Sequence, residues 1–226
     1  MARVQTLRFS LFFTSYKKIA LSKESFIILP MEILGKILGN GARVKIMRLF
    51  LLNRGKAFKS KNIAKRSRVS PDIMRRELKL LASVGFIKKH SKASSDWFFN
   101  SLFKYAGEFE DLLVRSESLD KTKLLNNFKK VGRVKLVIVS GVFIKNDDSR
   151  VDLLIVGDRL KKARIERGIR KLEAEIGVEL VYAIFDTKEF IYRLNMYDKL
   201  VRDILDYPHE VLLQAKELST WSLRKP

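Results

Sequence analysis

The sequence predicts an α+β fold in two domains, on three observations. Residues 60–90 carry two short helical patterns separated by a turn, followed by the first strand of a basic hairpin. Beyond residue 131 the chain changes to branched, apolar strands that alternate with helices. The charge is divided unevenly between these halves: residues 1–30 hold a net +4, residues 31–105 a net +14 and residues 106–226 a net +3, out of +21 for the chain. A concentrated positive field suits a polyphosphate partner, because each phosphate neutralised by Lys or Arg releases condensed counterions.

Length and composition narrow the classes. A chain of 226 residues with 46% hydrophobic content accommodates one large or two small cores. The absence of Cys argues against a disulfide framework and against thiolate metal sites, and fits a reducing, cytoplasmic location. Only His90 and His209 are available as imidazole ligands, which argues against a His-rich zinc site. No metal and no cofactor are expected. Residues 1–30 contain apolar clusters, yet none reaches the roughly 18 residues of a membrane span, and no membrane partner is expected. The run Phe9–Phe13 is short for a signal core, Lys17 and Lys18 break the apolar character soon after it, and no small-residue cleavage site is present. These residues are expected to form a poorly ordered or mis-assigned extension, with Met31 as the natural start.

Residues 31–105 are read as the DNA-binding domain. Ile33, Leu34, Ile37 and Leu38 open an amphipathic helix, and Ala42–Asn53 forms a buried one that Gly55 stops. Ser60–Ser67 is a short helix with Ile63 and Ala64 inward, and Val69 sits in the following turn. Ser70 then reads as an N-cap, Pro71 as the first helical position and Asp72 as a first-turn acid. In the helix Pro71–Val84, Ile73, Leu80, Leu81 and Val84 are expected inward, and Asp72, Arg75, Arg76, Lys79 and Ser83 outward. Gly85 ends that helix. Phe86–His90 and Trp97–Asn100 read as strands joined by the loop Ser91–Asp96. This is a helix-turn-helix running into a basic wing. The basic groups early in the second helix lie where such a helix reaches base edges in a major groove. Arg75, Arg76 and Lys79 are the expected groove contacts, flanked by Asp72; Lys59, Ser60, Lys61, Ser70, Lys88, Lys89 and Lys92 are the expected phosphate contacts.

Residues 106–130 read as a helical linker, with helices at Gly107–Val114 and Lys121–Lys130 broken by Ser116–Asp120. Residues 131–215 form the second domain, and 216–226 a tail. Its strands are Val134–Ser140, Arg150–Val156 closed by Gly157 and Asp158, Val178–Phe185 and Val211–Leu213. Its helices are Leu160–Ile176, Lys188–Leu194 and Tyr197–Leu205, the first with Leu160, Ala163, Ile165, Ile169, Leu172 and Ile176 on its apolar side. Strands alternating with helices imply an α/β layer.

Gly141 after a buried strand, followed about ten residues later by Val-Asp-Leu-Leu-Ile-Val, resembles the nucleotidyltransferase fold of the DNA polymerase β superfamily. The span 31–214 resembles winged helix-turn-helix regulators fused to a minimal nucleotidyltransferase-like domain. The segments that carry this are SPDIMRRELKLLASVGFI, VKLVIVSGVF, VDLLIVGD and the stretch from Val181 to Leu213. The resemblance implies a Gly-Ser turn and an Asp-x-Asp pair whose carboxylates hold two Mg²⁺ ions on NTP phosphates. This chain departs from that pattern: Val142 stands in the place of the Ser and Arg150 in the place of the first Asp, which leaves Asp152, with Glu179 as a further carboxylate from the third strand. A guanidinium in place of a carboxylate changes the local charge by two units where two divalent cations would sit. The implied site is therefore vestigial, with Asp152 and Glu179 as its remnants and no catalytic residue.

The expected function is sequence-specific binding of double-stranded DNA by a transcriptional regulator. Its degenerate second domain would serve ligand sensing, dimerisation or partner docking, with a homodimer and a nucleotide or protein as the further partners. The alternative is a Mg²⁺-dependent nucleotidyltransferase acting on a nucleic-acid or protein hydroxyl through Asp152 and Glu179.

Overall fold

The computed structural model describes residues 30–89, 95–115, 121–146 and 148–218. The expectation for the N-terminal extension therefore lies outside the described residues, apart from Pro30, which opens the first helix. The chain is a mixed α and β structure with two separate sheets.

The first half runs α1 (Pro30–Ile37), α2 (Gly41–Leu51), β1 (Phe58–Lys59), α3 (Ser60–Ser67), α4 (Pro71–Ser83), β2 (Ile87–Lys89) and β3 (Asp96–Phe99). Its sheet has the order β1-β3-β2 and is antiparallel throughout, with Phe58 opposite Trp97 and Ile87 opposite Phe99. β1 was not expected, since a strand of two residues leaves no periodicity to read. In α1 Leu34 is buried, while Ile33 and Ile37 are exposed, contrary to the expected inward stripe. α2 buries Val44, Ile46, Met47, Leu49, Phe50 and Leu51. It ends at Leu51, well before Gly55: the Asn53 side chain donates to the Leu49 carbonyl at 2.8 Å and so satisfies an end group of the helix.

α4 ends as expected. Gly85 adopts φ +76, its N–H donates to the Ala82 carbonyl at 3.0 Å, and the Phe86 N–H donates to Leu81 at 2.9 Å. This is a Schellman closure that places Phe86 in the core beside Leu81. The inward stripe, however, is Met74, Glu77, Leu78 and Leu81, while Leu80 and Val84 are exposed. The difference comes from Glu77, which is 6% exposed. Its carboxylate accepts from Arg43 Nε at 2.7 Å and from Asn40 Nδ2 at 3.1 Å, so a charged residue occupies the inward face. A hydrophobic pattern reads Glu as outward and displaces the stripe accordingly.

After α5 (Ala106–Glu110) the backbone passes into a π-turn over Asp111–Arg115, where one continuous helix was expected. α6 (Lys121–Asn127) leads into the second half: β4 (Arg133–Val139), β5 (Leu153–Asp158), α7 (Lys162–Ile176), β6 (Tyr182–Phe185), α8 (Thr187–Asn195), α9 (Lys199–Asp206) and β7 (Glu210–Gln214). The sheet order is β6-β5-β4-β7; only β5 and β6, joined through α7, are parallel. β5 does not close at Gly157 but runs through it to Asp158, because both residues pair with Val134 and Arg133 of β4.

Leu136–Val139 of β4 and Leu153–Val156 of β5 are unbroken apolar runs because both sheet faces are covered there. Val137, Val139, Leu153 and Ile155 pack with Leu124, Phe128, Ile165 and Ile169 on one face. Leu136, Ile138, Leu154 and Val156 pack with Phe190, Val201, Ile204 and Leu218 on the other. Leu218, expected in a C-terminal tail, is fully buried, so the packed chain extends past residue 215. In α7 the buried side contains Gly168 and Ala174, while Ala163, expected inward, is exposed.

Candidate nucleic-acid interface

Asp72, Arg75, Arg76, Lys79 and Ser83 are all exposed on α4, on the side the spacing assigns to them. Their backbone is held firmly from beneath. Glu77 on the opposite face ties α4 to Arg43 and Asn40, and Asn40 also caps α2 by accepting from the Ala42 N–H at 2.9 Å. Asp72 forms an ion pair with Arg75 at 2.5 Å. Ser70 occupies the N-cap position in extended conformation, but its hydroxyl makes no capping bond to the first turn.

The expected phosphate contacts divide into three groups. Lys59 and Lys61 are exposed at the start of α3. Ser60 lies between them and accepts a hydrogen bond from Trp97 Nε1 at 3.2 Å, which ties α3 to β3. Lys88 and Lys89 extend from β2 over the aromatic rings of β3, with ammonium nitrogens 5.3 Å from the Phe98 ring and 4.8 Å from the Trp97 ring. Lys92 lies outside the described residues, as does most of the loop expected to join the strands.

The Asp152 region is built quite differently from a two-metal site. Ser140 donates its hydroxyl to the Val151 carbonyl and opens a tight turn over Gly141–Phe143. Asp152 Oδ1 accepts from the Val142 N–H at 2.9 Å, and Oδ2 accepts from the Val181 N–H at 2.8 Å. The carboxylate thereby links the turn after β4 to the entry of β6. Gly141 adopts φ +56, and a Cβ there would lie 2.1 Å from Asp152 Oδ1, so the carboxylate fills the space a side chain would need. Arg150 pairs not with Asp152 but with Asp203 of α9, at 2.5 Å. Glu179 precedes β6 rather than lying in it, and its carboxylate pairs with Arg66 of α3, in the other half of the chain. Asp152 and Glu179 are thus committed to separate partners. Among the described residues no group of three or more His, Cys, Asp or Glu side chains is placed to hold a metal ion. Asp152→Ala is expected to destabilise the chain by about 0.5–1.5 kcal/mol, mostly from the part-buried Val142 N–H left unmatched, since water reaches the exposed Val181 N–H. Urea unfolding measures this, and a change below about 0.5 kcal/mol would contradict the structural role.

Lys135 is an interior staple rather than a reactive amine. Its ammonium lies 2.9 Å from Asp158 and 2.5 Å from Glu217, and the side chain is 10% exposed. The hydrogen bond to Asp158, then that to Glu217, raises the Lys135 pKa. The same bond from Lys135 lowers that of Asp158.

Other cations escaped the sequence reading. Lys65, Arg66 and Arg68 of α3 and its closing turn face Arg167 and Arg170 of α7 across a cleft. The signal that could have revealed the second group is the spacing of three between Arg164, Arg167 and Arg170, which the nearly neutral total of the second half conceals. The two halves meet beside this cleft. The buried Arg48 donates from Nε to the Leu113 carbonyl in the π-turn at 2.7 Å and from Nη1 to Glu175 in the last turn of α7 at 2.9 Å. No helix among the described residues is long and apolar enough to cross a membrane. Comparison with protein-family models, with curated proteins and with solved structures returns no match to this chain.

Proposed function

We propose that the chain is a DNA-binding transcriptional regulator of the winged helix-turn-helix kind. The observation that carries this reading is the exposed face of α4, where Arg75, Arg76 and Lys79 stand outward on a helix anchored from below by Glu77. The order helix, strand, helix, helix, strand, strand from α2 to β3, with sheet order β1-β3-β2, supports it. In this reading α4 enters the major groove, Lys59 and Lys61 hold phosphates, and Lys88 and Lys89 form the wing. The second half is a nucleotidyltransferase-like domain that has exchanged metal chemistry for structure; the engagement of both Asp152 oxygens with backbone N–H groups supports that. In this reading the protein acts in the cytoplasm, and its second half serves ligand sensing, dimerisation or partner docking.

Titration of a random DNA duplex by fluorescence anisotropy at several salt concentrations tests the reading. A steep linear fall of log K with log salt is expected, at about 0.9 per phosphate neutralised. Binding that is weak and insensitive to salt would remove its basis.

Asp72 restrains this interface. Its carboxylate occupies Arg75 in the free protein, and both side chains are well exposed, so the pair contributes little to stability. Asp72→Ala is expected to tighten duplex binding a few-fold at low salt and to cost about 0.5 kcal/mol of helix stability through loss of a favourable first-turn charge. Anisotropy and thermal melts report the two effects separately; weaker DNA binding would assign Asp72 a direct contact.

A further inference from the structure

We propose that the cleft between α3 and α7 is a binding site for a small polyphosphate anion. The cleft has a volume of about 670 Å³, within the range of small-molecule sites. Lys65, Arg66 and Arg68 reach it from α3 and its closing turn, and Arg167 and Arg170 from α7. Two carboxylates share the lining, and both are engaged. Glu173 Oε1 accepts from the Leu180 N–H at 3.1 Å, and Glu179 pairs with Arg66. Five cations against two lining carboxylates give +3, which Glu166, paired with Arg170 at 3.8 Å from beside the cleft, reduces to +2.

The charges converge from facing helices rather than lying along one surface. Arg68 holds a left-handed conformation, φ +51, that a non-glycine residue rarely adopts, and its Nη1 reaches across to the Arg167 carbonyl at 3.5 Å. Gathering like charges in this way opposes folding unless an anion compensates them. Guanidinium groups bind phosphate oxygens in bidentate fashion, and three or more of them around one cleft match a run of linked phosphates. Among the described residues no aromatic side chain lines the cleft to stack a base. The ligand is therefore held by its phosphates: an inorganic polyphosphate or the triphosphate tail of a nucleotide. DNA presents the same oxyanions, but the concave, two-walled shape favours the small ligand.

Calorimetric titration with sodium tripolyphosphate and, separately, with ATP, at low salt and without divalent ions, tests this on the full chain. The two are expected to bind within about threefold of each other. Arg167→Ala with Arg170→Ala should weaken both at least tenfold. Glu179→Gln, which frees Arg66, should tighten both. The two arginines are exposed, so the variant is expected to keep the wild-type circular dichroism and melting temperature; should it not, Lys65→Ala gives the same readout from the other wall. Absence of saturable binding by either probe, or equal binding by the wild type and the cleft variants, would overturn the proposal. So would binding of ATP without tripolyphosphate, since a base would then carry recognition. If the cleft variants lose affinity for duplex DNA and retain tripolyphosphate, the cleft serves the DNA backbone and the small ligand is ruled out. A variant altered only at Arg75, Arg76 and Lys79 should bind tripolyphosphate as the wild type does; loss there would move the anion to α4. Failure of the DNA reading thus leaves this result standing, and the reverse also holds.

Discussion

Replacing Arg75, Arg76 and Lys79 together by Ala is expected to weaken binding to the best duplex site by at least about 100-fold and to flatten the salt dependence. Each well-made side-chain contact to a base edge carries about 1–3 kcal/mol, so three of them account for at least about 3 kcal/mol. Those that meet phosphate instead each reduce the salt slope by about 0.9. The fold should be unaffected. All three side chains are exposed, while the anchoring of α4 resides in Met74, Glu77, Leu78 and Leu81, and substitutions at such surface positions usually change stability by less than about 0.5 kcal/mol. A charge-matched control separates a specific surface from net charge. Lys188, Lys199 and Arg202 are equally exposed on α8 and α9, and their triple Ala variant should bind duplex within a few-fold of the wild type. Equal losses in the two variants would reduce the interaction to overall charge and remove α4 from its centre.

The outward face of α4 was legible because it is a local feature: a Pro start, a glycine stop and basic residues at spacings of three and four all lie within fifteen residues. The two central strands of the second half, β4 and β5, were legible for a similar reason, since burial on both faces writes an unbroken apolar run from Leu136 to Val139 and from Leu153 to Val156. What the sequence concealed depends on partners far apart in the chain. Glu77 faces inward because Arg43, 34 positions away, meets it there. Arg48 and Asn53 are polar groups in and just beyond a buried helix, and they are tolerated because the carbonyls of Glu175 and Gly177 accept from them across the junction of the halves. Glu179 read as a remnant metal ligand because strand register cannot be fixed from one strand alone; it comes before β6 begins and meets Arg66 instead.

Asp152 is a carboxylate in a structural role. A carboxylate at the mouth of β5, beside a turn glycine, offers two acceptors to whichever donors lie nearest. With Arg150 drawn away to Asp203 and Val142 in the turn, the nearest donors are backbone N–H groups. The carboxylate thus ties the turn after β4 to the entry of β6.

The junction of the halves supplies the second large effect. Gly177→Ala is expected to destabilise the chain by about 2–5 kcal/mol, a backbone-strain share and a steric share together. Gly177 closes α7 with φ +97, where an alanine costs about 1–2 kcal/mol in backbone strain. The larger share is steric. A Cβ at this position would lie 2.8 Å from the Arg48 carbonyl carbon and 2.9 Å from the Leu49 nitrogen, both backbone atoms of a buried helix. No side-chain rotation relieves that contact, so α7 must move away from α2. The movement stretches two bonds that cross the junction: Asn53 Nδ2 to the Gly177 carbonyl, 2.9 Å, and Arg48 Nη1 to the Glu175 carbonyl, 2.9 Å. A buried guanidinium that loses an acceptor is costly in its own right. Urea unfolding of Gly177→Ala, Asn53→Ala and the double variant separates the steric from the polar share. Because both substitutions act through one contact, their effects should fall short of additivity by about 1 kcal/mol. A loss below about 1 kcal/mol for Gly177→Ala, less than the strain alone, would mean that α2 and α7 are not packed backbone to backbone, and the cationic cleft beside them would then lose the wall that shapes it.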